Sequence, residues 1–215
     1  MLRDKSLLIF DLDGTLVDTR LDLATAVNHA LQQLRRPPLP LPVLTGFVGD
    51  GARTLVARAL GNPEIYDLET ALRFFRAYYA EHLVDHSRLY DGVLETLQHF
   101  RHKKIALLSN KPQEFTEPLL ARLDLSKFFD VVVGARPDLK LKPDPQPVHF
   151  ILEQLGIPAT GAMIIGDGEN DVLAGKAAGI TTCAVTYGIR PAEKLLPLQP
   201  DFVIHNFSEL KALMQ

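Results

Sequence analysis

The sequence predicts an α/β protein: a Rossmann-like, mostly parallel sheet with helices on both faces and an all-helical domain inserted near its start. Three observations predict it. Short apolar runs without polar alternation recur along the chain, segments of helical spacing separate them, and one long stretch holds helical patterns alone. Strands covered on both faces read as continuous apolar runs. Alternating strand and helix implies right-handed crossovers and parallel pairing.

The first strand is Ser6-Leu7-Leu8-Ile9-Phe10, ending in Asp11. Residues 1–17 and 88–215 are assigned to the sheet core, and 18–87 to the insert. Within the insert Leu23, Val27, Ala30, Leu31 and Leu34 fall on one helical face. Pro37, Pro38, Pro40 and Pro42 follow as a connector, where lost backbone donors forbid a regular helix. After Gly46-Phe47-Val48-Gly49-Asp50-Gly51 come helical segments about Ala52 to Leu60 and Glu64 to Val84. The core resumes near Tyr90-Asp91-Gly92. Its further strands are Lys104 to Leu108, Asp130 to Val133, Ala162 to Ile165, Thr182 to Val185 and Phe202 to Ile204. Its helices are Val93 to Phe100, Phe115 to Leu123, Pro147 to Leu155 and Asp171 to Ala178.

Composition narrows the functional classes. A chain of 215 residues, 47% apolar, can bury a sizeable core, which excludes general disorder. Its formal charge of −3, without a block of basic residues, leaves no electrostatic footprint for nucleic acid. The lone Cys183 can form neither an internal disulfide nor a Cys-rich zinc site, which suits a reducing compartment. No apolar run approaches the roughly 18 to 20 residues that cross a bilayer, and Leu7 to Phe10 is too short for a signal-peptide core. A cytoplasmic protein without a membrane partner, monomeric or homodimeric, is the expectation.

The strongest chemical signal is Asp11-Leu12-Asp13-Gly14-Thr15 directly after the first strand. In extended backbone residues i and i+2 project to the same side, so both carboxylates can enter one site. Two such groups repel and raise a pKa unless a cation lies between them. A hard divalent ion, Mg²⁺, fits, since it prefers oxygen ligands and leaves positions open for substrate phosphate. An EF-hand fails, because its sixth position requires Gly and Leu16 stands there.

A second acidic pair closes another strand, in Gly166-Asp167-Gly168-Glu169-Asn170-Asp171. A dinucleotide fingerprint is rejected: Asp171 stands where the third glycine belongs, and Asp167 would repel a pyrophosphate. Asp167 and Asp171 suit a metal better. Ser109-Asn110 follows the strand ending at Leu108, and Lys142-Pro143 lies in a loop after the third core strand. Open α/β sheets place ligands outside the carboxyl ends of their strands. A hydroxyl donor and a cation beside four carboxylates there make a phosphoryl site.

These motifs, in this order, resemble the haloacid dehalogenase (HAD) superfamily of phosphotransferases, and the helical insert resembles the cap of one large branch. The resemblance implies Asp11 as nucleophile through an aspartyl-phosphate and Asp13 as general acid and base. It implies Ser109 and Lys142 on the phosphoryl oxygens, helped by Asn110 and the backbone N–H groups after Asp11, with Gly14 and Thr15 among the substrate-binding residues. It further implies Asp11, Asp167 and the Asp13 carbonyl oxygen on Mg²⁺, with Asp171 nearby. Lys142 is preferred over Lys140 because the family's lysine is commonly followed by proline. Gly168 departs from the Ser of many relatives.

Within the superfamily, Val17-Asp18-Thr19, Val48-Gly49-Asp50-Gly51-Ala52, Ser109-Asn110-Lys111-Pro112 and Lys142-Pro143-x-Pro145-x-Pro147 resemble phosphoglycolate phosphatases. That implies a small phosphorylated metabolite, 2-phosphoglycolate, as substrate, with Arg53 and Lys111 as candidate cations for its carboxylate. Phe74, Phe75, Tyr78 and Tyr79 are expected to fill the insert's own core. A pyrophosphatase, a nucleotidase, a β-phosphoglucomutase-like mutase and a phosphoryl-accepting signalling or ligand-binding protein are the alternatives.

Overall fold

The computed structural model describes residues 2–61 and 64–214. In chain order, β1 (Leu7–Phe10) is followed by the two-residue β2 (Val17–Asp18). Four helices come next: α1 (Arg20–Gln33), α2 (Leu41–Thr45), α3 (Ala52–Leu60) and α4 (Ile65–Glu81). The chain returns through β3 (Arg88–Leu89), which pairs antiparallel with β2. Then follow α5 (Val93–His99), β4 (Lys104–Pro112), α6 (Gln113–Arg122), β5 (Val131–Ala135), α7 (Gln146–Leu155), β6 (Ala162–Gly166) and α8 (Glu169–Ala177). The last elements are β7 (Thr181–Val185), α9 (Ala192–Leu195), β8 (Phe202–Ile204) and α10 (Glu209–Leu213).

The main sheet has the order β5-β4-β1-β6-β7-β8, with every pairing parallel. The chain builds outward from β1 on one side, then crosses to build on the other, so β1 marks the switch point where such sheets hold ligands. Side chains of β1 alternate between the two faces. Leu8 and Phe10 pack with Leu107, Ile165, Val93, Leu119 and Leu210, whereas Leu7 and Ile9 pack with Ala106, Ile164, Val148, Ile151 and Ala174. Both faces are therefore dry, which is why the strands carry no polar alternation.

Helices α1 to α4 enclose a separate apolar cluster that includes Leu23, Val27, Leu31, Leu55, Leu72 and Phe75. Phe115 of α6 joins it, linking that layer to the sheet side of the molecule. The outgoing and returning segments are tied by Asp22 of α1. Its buried carboxylate accepts hydrogen bonds from the Ser87 hydroxyl at 2.6 Å, from Ser87 N at 2.8 Å and from His86 N at 3.0 Å. No helix among the described residues is long and apolar enough to cross a membrane.

Several local expectations are corrected. The proline connector ends in α2, because Pro42 occupies its first turn, where a missing N–H costs nothing. Strand β4 does not stop at Leu108 but continues to Pro112, with a register shift against β5 between Leu108 and Pro112. Helix α8 starts at Glu169 rather than Asp171, so Asp167 precedes the helix and the Asp171 side chain accepts from Gly168 N at 3.0 Å. The pair β2/β3 and helices α9 and α10 are too short to have shown a period in the sequence.

Candidate active site

The carboxyl ends of β1, β4 and β6, together with the loop before α7, bring four carboxylates and two ammonium groups to one place. Asp11, Asp167 and Asp171 each offer an oxygen, and the three oxygens lie within 4.8 Å of one another. Lys142 Nζ donates to Asp11 Oδ1 at 2.9 Å, to Asp171 Oδ1 at 2.5 Å and to the Leu108 carbonyl at 2.7 Å. On the other side Lys111 Nζ donates to Asp13 Oδ1 and Oδ2 at 2.9 and 3.1 Å, and the Thr19 hydroxyl donates to Asp13 Oδ1 at 2.6 Å. Asp11 and Asp13 thus face one site with different partners.

Burial and like charge dominate the electrostatics. Burial pushes the Asp11 carboxyl up to about 8 against the pull of Lys142, with Asp171 and Asp167 adding to the rise. Asp167 is pushed up to about 7 by burial and by Asp171, although N–H groups of Ile189 and Arg190 and the Thr15 hydroxyl stabilise its anion. Burial works against both ammonium groups, yet Asp13 holds Lys111 in its charged form and Asp11 with Asp171 does so for Lys142. When all four carboxylates are ionised they exceed the two ammonium groups by two negative charges. A divalent cation on Asp11, Asp167 and Asp171 matches that excess, and three oxygens this close suit one hard ion with donors at about 2.1 Å. The donor set therefore fits Mg²⁺.

The loop at 187–190 supports this cluster. Ile189 N donates to Asp167 Oδ2 at 2.7 Å, and Arg190 N to the same oxygen at 3.3 Å. A Cβ at Gly188 would collide with the Asp167 side chain and the Gly14 carbonyl oxygen, so only glycine allows this approach. The loop residues were missed in the sequence, since a backbone donor carries no motif, and Thr19, although part of the Val17-Asp18-Thr19 stretch, had no role assigned.

Between the sheet and the helical layer lies a cavity of ≈ 40 Å³, lined by Asp11, Asp13, Ser109, Lys111, Tyr79 and Phe75 with other apolar residues. Ser109 and Lys111 lie within β4 and line the cavity beside Asp11 and Asp13, and Ser109 Oγ accepts from Lys111 N at 3.2 Å. Other sequence assignments are corrected. Arg53 does not line the cavity; its side chain is 58% exposed and pairs with Glu69 at 2.6 Å, because its position on α3 turns outward. The Gly14 N–H donates to the Val17 carbonyl at 2.9 Å and the Thr15 N–H to the Leu12 carbonyl at 3.3 Å, while the Thr15 hydroxyl donates to Asp167 at 3.1 Å. Neither residue lines the cavity.

Asn110 does line it, but its amide is committed to the backbones of Gly49 and Lys142, at 2.9 to 3.0 Å. It positions the Lys142 loop instead of offering a free donor. All three Lys142 protons are likewise engaged, so contact with a phosphoryl oxygen requires exchanging one of these bonds. Lys140 pairs with Asp144 at 2.9 Å on the surface and stays away from the cluster. Phe75 and Tyr79 fill the apolar cluster as expected but also line the cavity, and the partly buried Phe74 and Tyr78 pack against that cluster, Tyr78 also stacking between His29 and His82.

Comparison with known proteins agrees with this arrangement. The family model for haloacid dehalogenase-like hydrolases matches residues 8–185. The chain is 37% identical over 218 aligned positions to a phosphoglycolate phosphatase of Colwellia psychrerythraea, covering 97% of this chain and 96% of that protein. It is 38% identical to phosphoglycolate phosphatase 1 of Pseudomonas aeruginosa, covering 95% of this chain and 78% of that one. A crystal structure from Haemophilus somnus, described as a predicted phosphoglycolate phosphatase, superposes with a TM-score of 0.92 at 28% identity over 99% of both chains.

Proposed function

The chain belongs to the haloacid dehalogenase-like hydrolase family, and on that premise we propose that it is a Mg²⁺-dependent phosphatase whose substrate is 2-phosphoglycolate. The observation that carries this reading is the division between Asp11 and Asp13. Asp11 sits with Lys142 and the metal-competent carboxylates, while Asp13, two residues on, sits with Thr19 and Lys111 beside the small cavity.

In this reading an Asp11 carboxylate oxygen attacks phosphorus, and the glycolate oxygen leaves with a proton from Asp13. Asp13 then takes a proton from water, which attacks the phosphorus of the aspartyl-phosphate and frees Asp11. Lys142 orients Asp11, and Ser109 offers its hydroxyl to a phosphoryl oxygen. Asp11, Asp167 and Asp171, with the Asp13 carbonyl oxygen, would hold Mg²⁺, which would supply positive charge against the phosphoryl oxygens. Residues 1–17 and 88–215 form the catalytic core, and 18–87 acts as the cap that selects substrate. With Arg53 turned outward, Lys111 is the cation left for the substrate carboxylate.

The test is phosphate release from 2-phosphoglycolate beside sugar phosphates, nucleotides and pyrophosphate, with Mg²⁺ or EDTA. A lead for 2-phosphoglycolate of about tenfold or more in kcat/KM, about 1.4 kcal/mol of transition-state discrimination, is expected. A different preferred ester would discard the substrate assignment.

A further inference from the structure

Tyr79 of α4 combines tight packing with an unmet hydrogen bond. Its side chain is fully buried, stacked on Phe75 with ring centroids 5.4 Å apart and edge-on to Phe115 at 5.1 Å. Its hydroxyl nevertheless has no hydrogen-bond partner among the described residues. Buried hydroxyls are rarely left so, and an orphan of this kind in a cavity wall points to a group that arrives from outside.

Lys111 is its neighbour: the ammonium lies 4.8 Å from the Tyr79 ring centroid. The hydrogen bonds of Lys111 Nζ run to the two Asp13 oxygens, and the Tyr79 side chain is its other neighbour at the cavity wall. Two buried donors, one neutral and one cationic, therefore border the same cavity. The remaining wall is largely apolar, with Leu23, Val48, Leu55, Phe75 and Phe115. A volume of ≈ 40 Å³ holds about three water-sized groups, at roughly 10 to 15 Å³ each.

Resting on the phosphoglycolate reading above, we propose that Tyr79 and Lys111 form a subsite for the distal carboxylate of the substrate, and that Tyr79 sets the specificity. The Tyr79 hydroxyl donates to one carboxylate oxygen and the Lys111 ammonium to the other. The small apolar enclosure limits what lies beyond the phosphate ester to a two- or three-carbon acid. A neutral ester of the same size leaves the Tyr79 hydroxyl unpaired, and a site built to hydrogen-bond a missing group rejects such a ligand strongly. A sugar phosphate does not fit the enclosure at all. The selecting hydroxyl comes from the helical layer and the cation from β4, so selection requires the two layers to be closed together.

The experiment compares 2-phosphoglycolate, its carboxylate methyl ester, ethyl phosphate and 6-phosphogluconate on the wild type and on Tyr79→Phe. For the wild type, 2-phosphoglycolate is expected to lead each of the others by at least tenfold in kcat/KM. A wild type that turns over another ester best would overturn the substrate reading and this subsite together. Given that lead, Tyr79→Phe is expected to lower the ratio of 2-phosphoglycolate to ethyl phosphate about tenfold, mainly through KM. An unchanged ratio would overturn the subsite and leave the substrate reading standing.

The variant removes a hydroxyl that has no partner in the fold, so its thermal midpoint is expected at or above that of the wild type. A clearly lower midpoint would assign the hydroxyl a structural role and overturn the proposal. The methyl ester tests the same point on unaltered protein, and its turnover at the rate of the free acid would also contradict the subsite.

Discussion

Lys142 Nζ stands 2.9 Å from Asp11 Oδ1, across 131 residues of sequence, and both side chains are almost closed to solvent. The contact places a fixed cation against the carboxylate that we assign as nucleophile. Because Lys142 also binds Asp171 and the Leu108 carbonyl within β4, it fixes Asp11 from a rigid base. Lys142→Met is expected to lower kcat by about 10²- to 10³-fold, the scale of losing one preorganised electrostatic group. Lys142→Arg is expected to recover little, since a planar guanidinium cannot aim three donors at acceptors grouped around one point. Steady-state kinetics on both variants check this, and near-normal turnover in Lys142→Met would refute the role.

The crowded carboxylates carry a second prediction. Mg²⁺ is expected to raise the thermal midpoint, because a ligand bound only by the folded state stabilises it by about 2.7 kcal/mol at a hundred times its Kd. Asp167→Asn removes one of the three converging oxygens and is expected to remove most of that rise. Thermal unfolding of both proteins with Mg²⁺ and with EDTA decides the point. Equal responses would place the ion elsewhere.

Asp22 ties α1 to the returning segment at His86 and Ser87. Burial pushes its carboxyl up, but the bonds from Ser87 and His86 outweigh it and hold the pKa below the ordinary 3.8. A group depressed in the folded state contributes stability above its unfolded pKa, and that contribution is lost as pH falls through the folded value. Asp22→Asn is therefore expected to cost about 1–3 kcal/mol near neutral pH. The gap to the wild type should shrink as the pH drops below 3.8. Denaturant titrations at pH 7 and pH 3 measure it, and a gap that widens in acid would contradict the clamp.

Gly188 approaches Asp167 and the Gly14 carbonyl too closely for any side chain. Gly188→Ala is expected to displace Asp167 and weaken Mg²⁺ binding by about the 10- to 100-fold seen when supporting contacts of a metal site are lost. Calorimetric titration with Mg²⁺ reads this directly. Wild-type affinity in the variant would mean that the loop is free to move away.

What the sequence could and could not show follows from the range of each interaction. Asp11 and Asp13 were legible because an apolar strand fixes the period of two that sends both to one side. The sheet was legible because buried parallel strands leave uninterrupted apolar runs. Lys142 carried only a weak local signature, its place in a loop after the third core strand, and resemblance chose it over Lys140, since its partners Asp11 and Asp171 lie far away along the chain. Arg53 was misplaced because helical spacing tells which residues share a face and not which face looks at the site. Gly14, Thr15 and Asn110 were expected to meet substrate, but their hydrogen bonds are taken by Val17, Asp167 and the backbones of Gly49 and Lys142. The same blindness to partners hid Tyr79, whose interest lies in a bond it lacks.

The central claim is that phosphorus passes through Asp11. The most direct measurement is rapid acid quench of the enzyme during turnover of 2-phosphoglycolate with Mg²⁺, followed by mass spectrometry of the peptides. The account predicts a phosphoryl group on Asp11 that grows within one turnover, decays with phosphate release, and is absent in Asp11→Asn. Turnover with no phosphorylated residue, or with the label on any side chain other than Asp11, would contradict it.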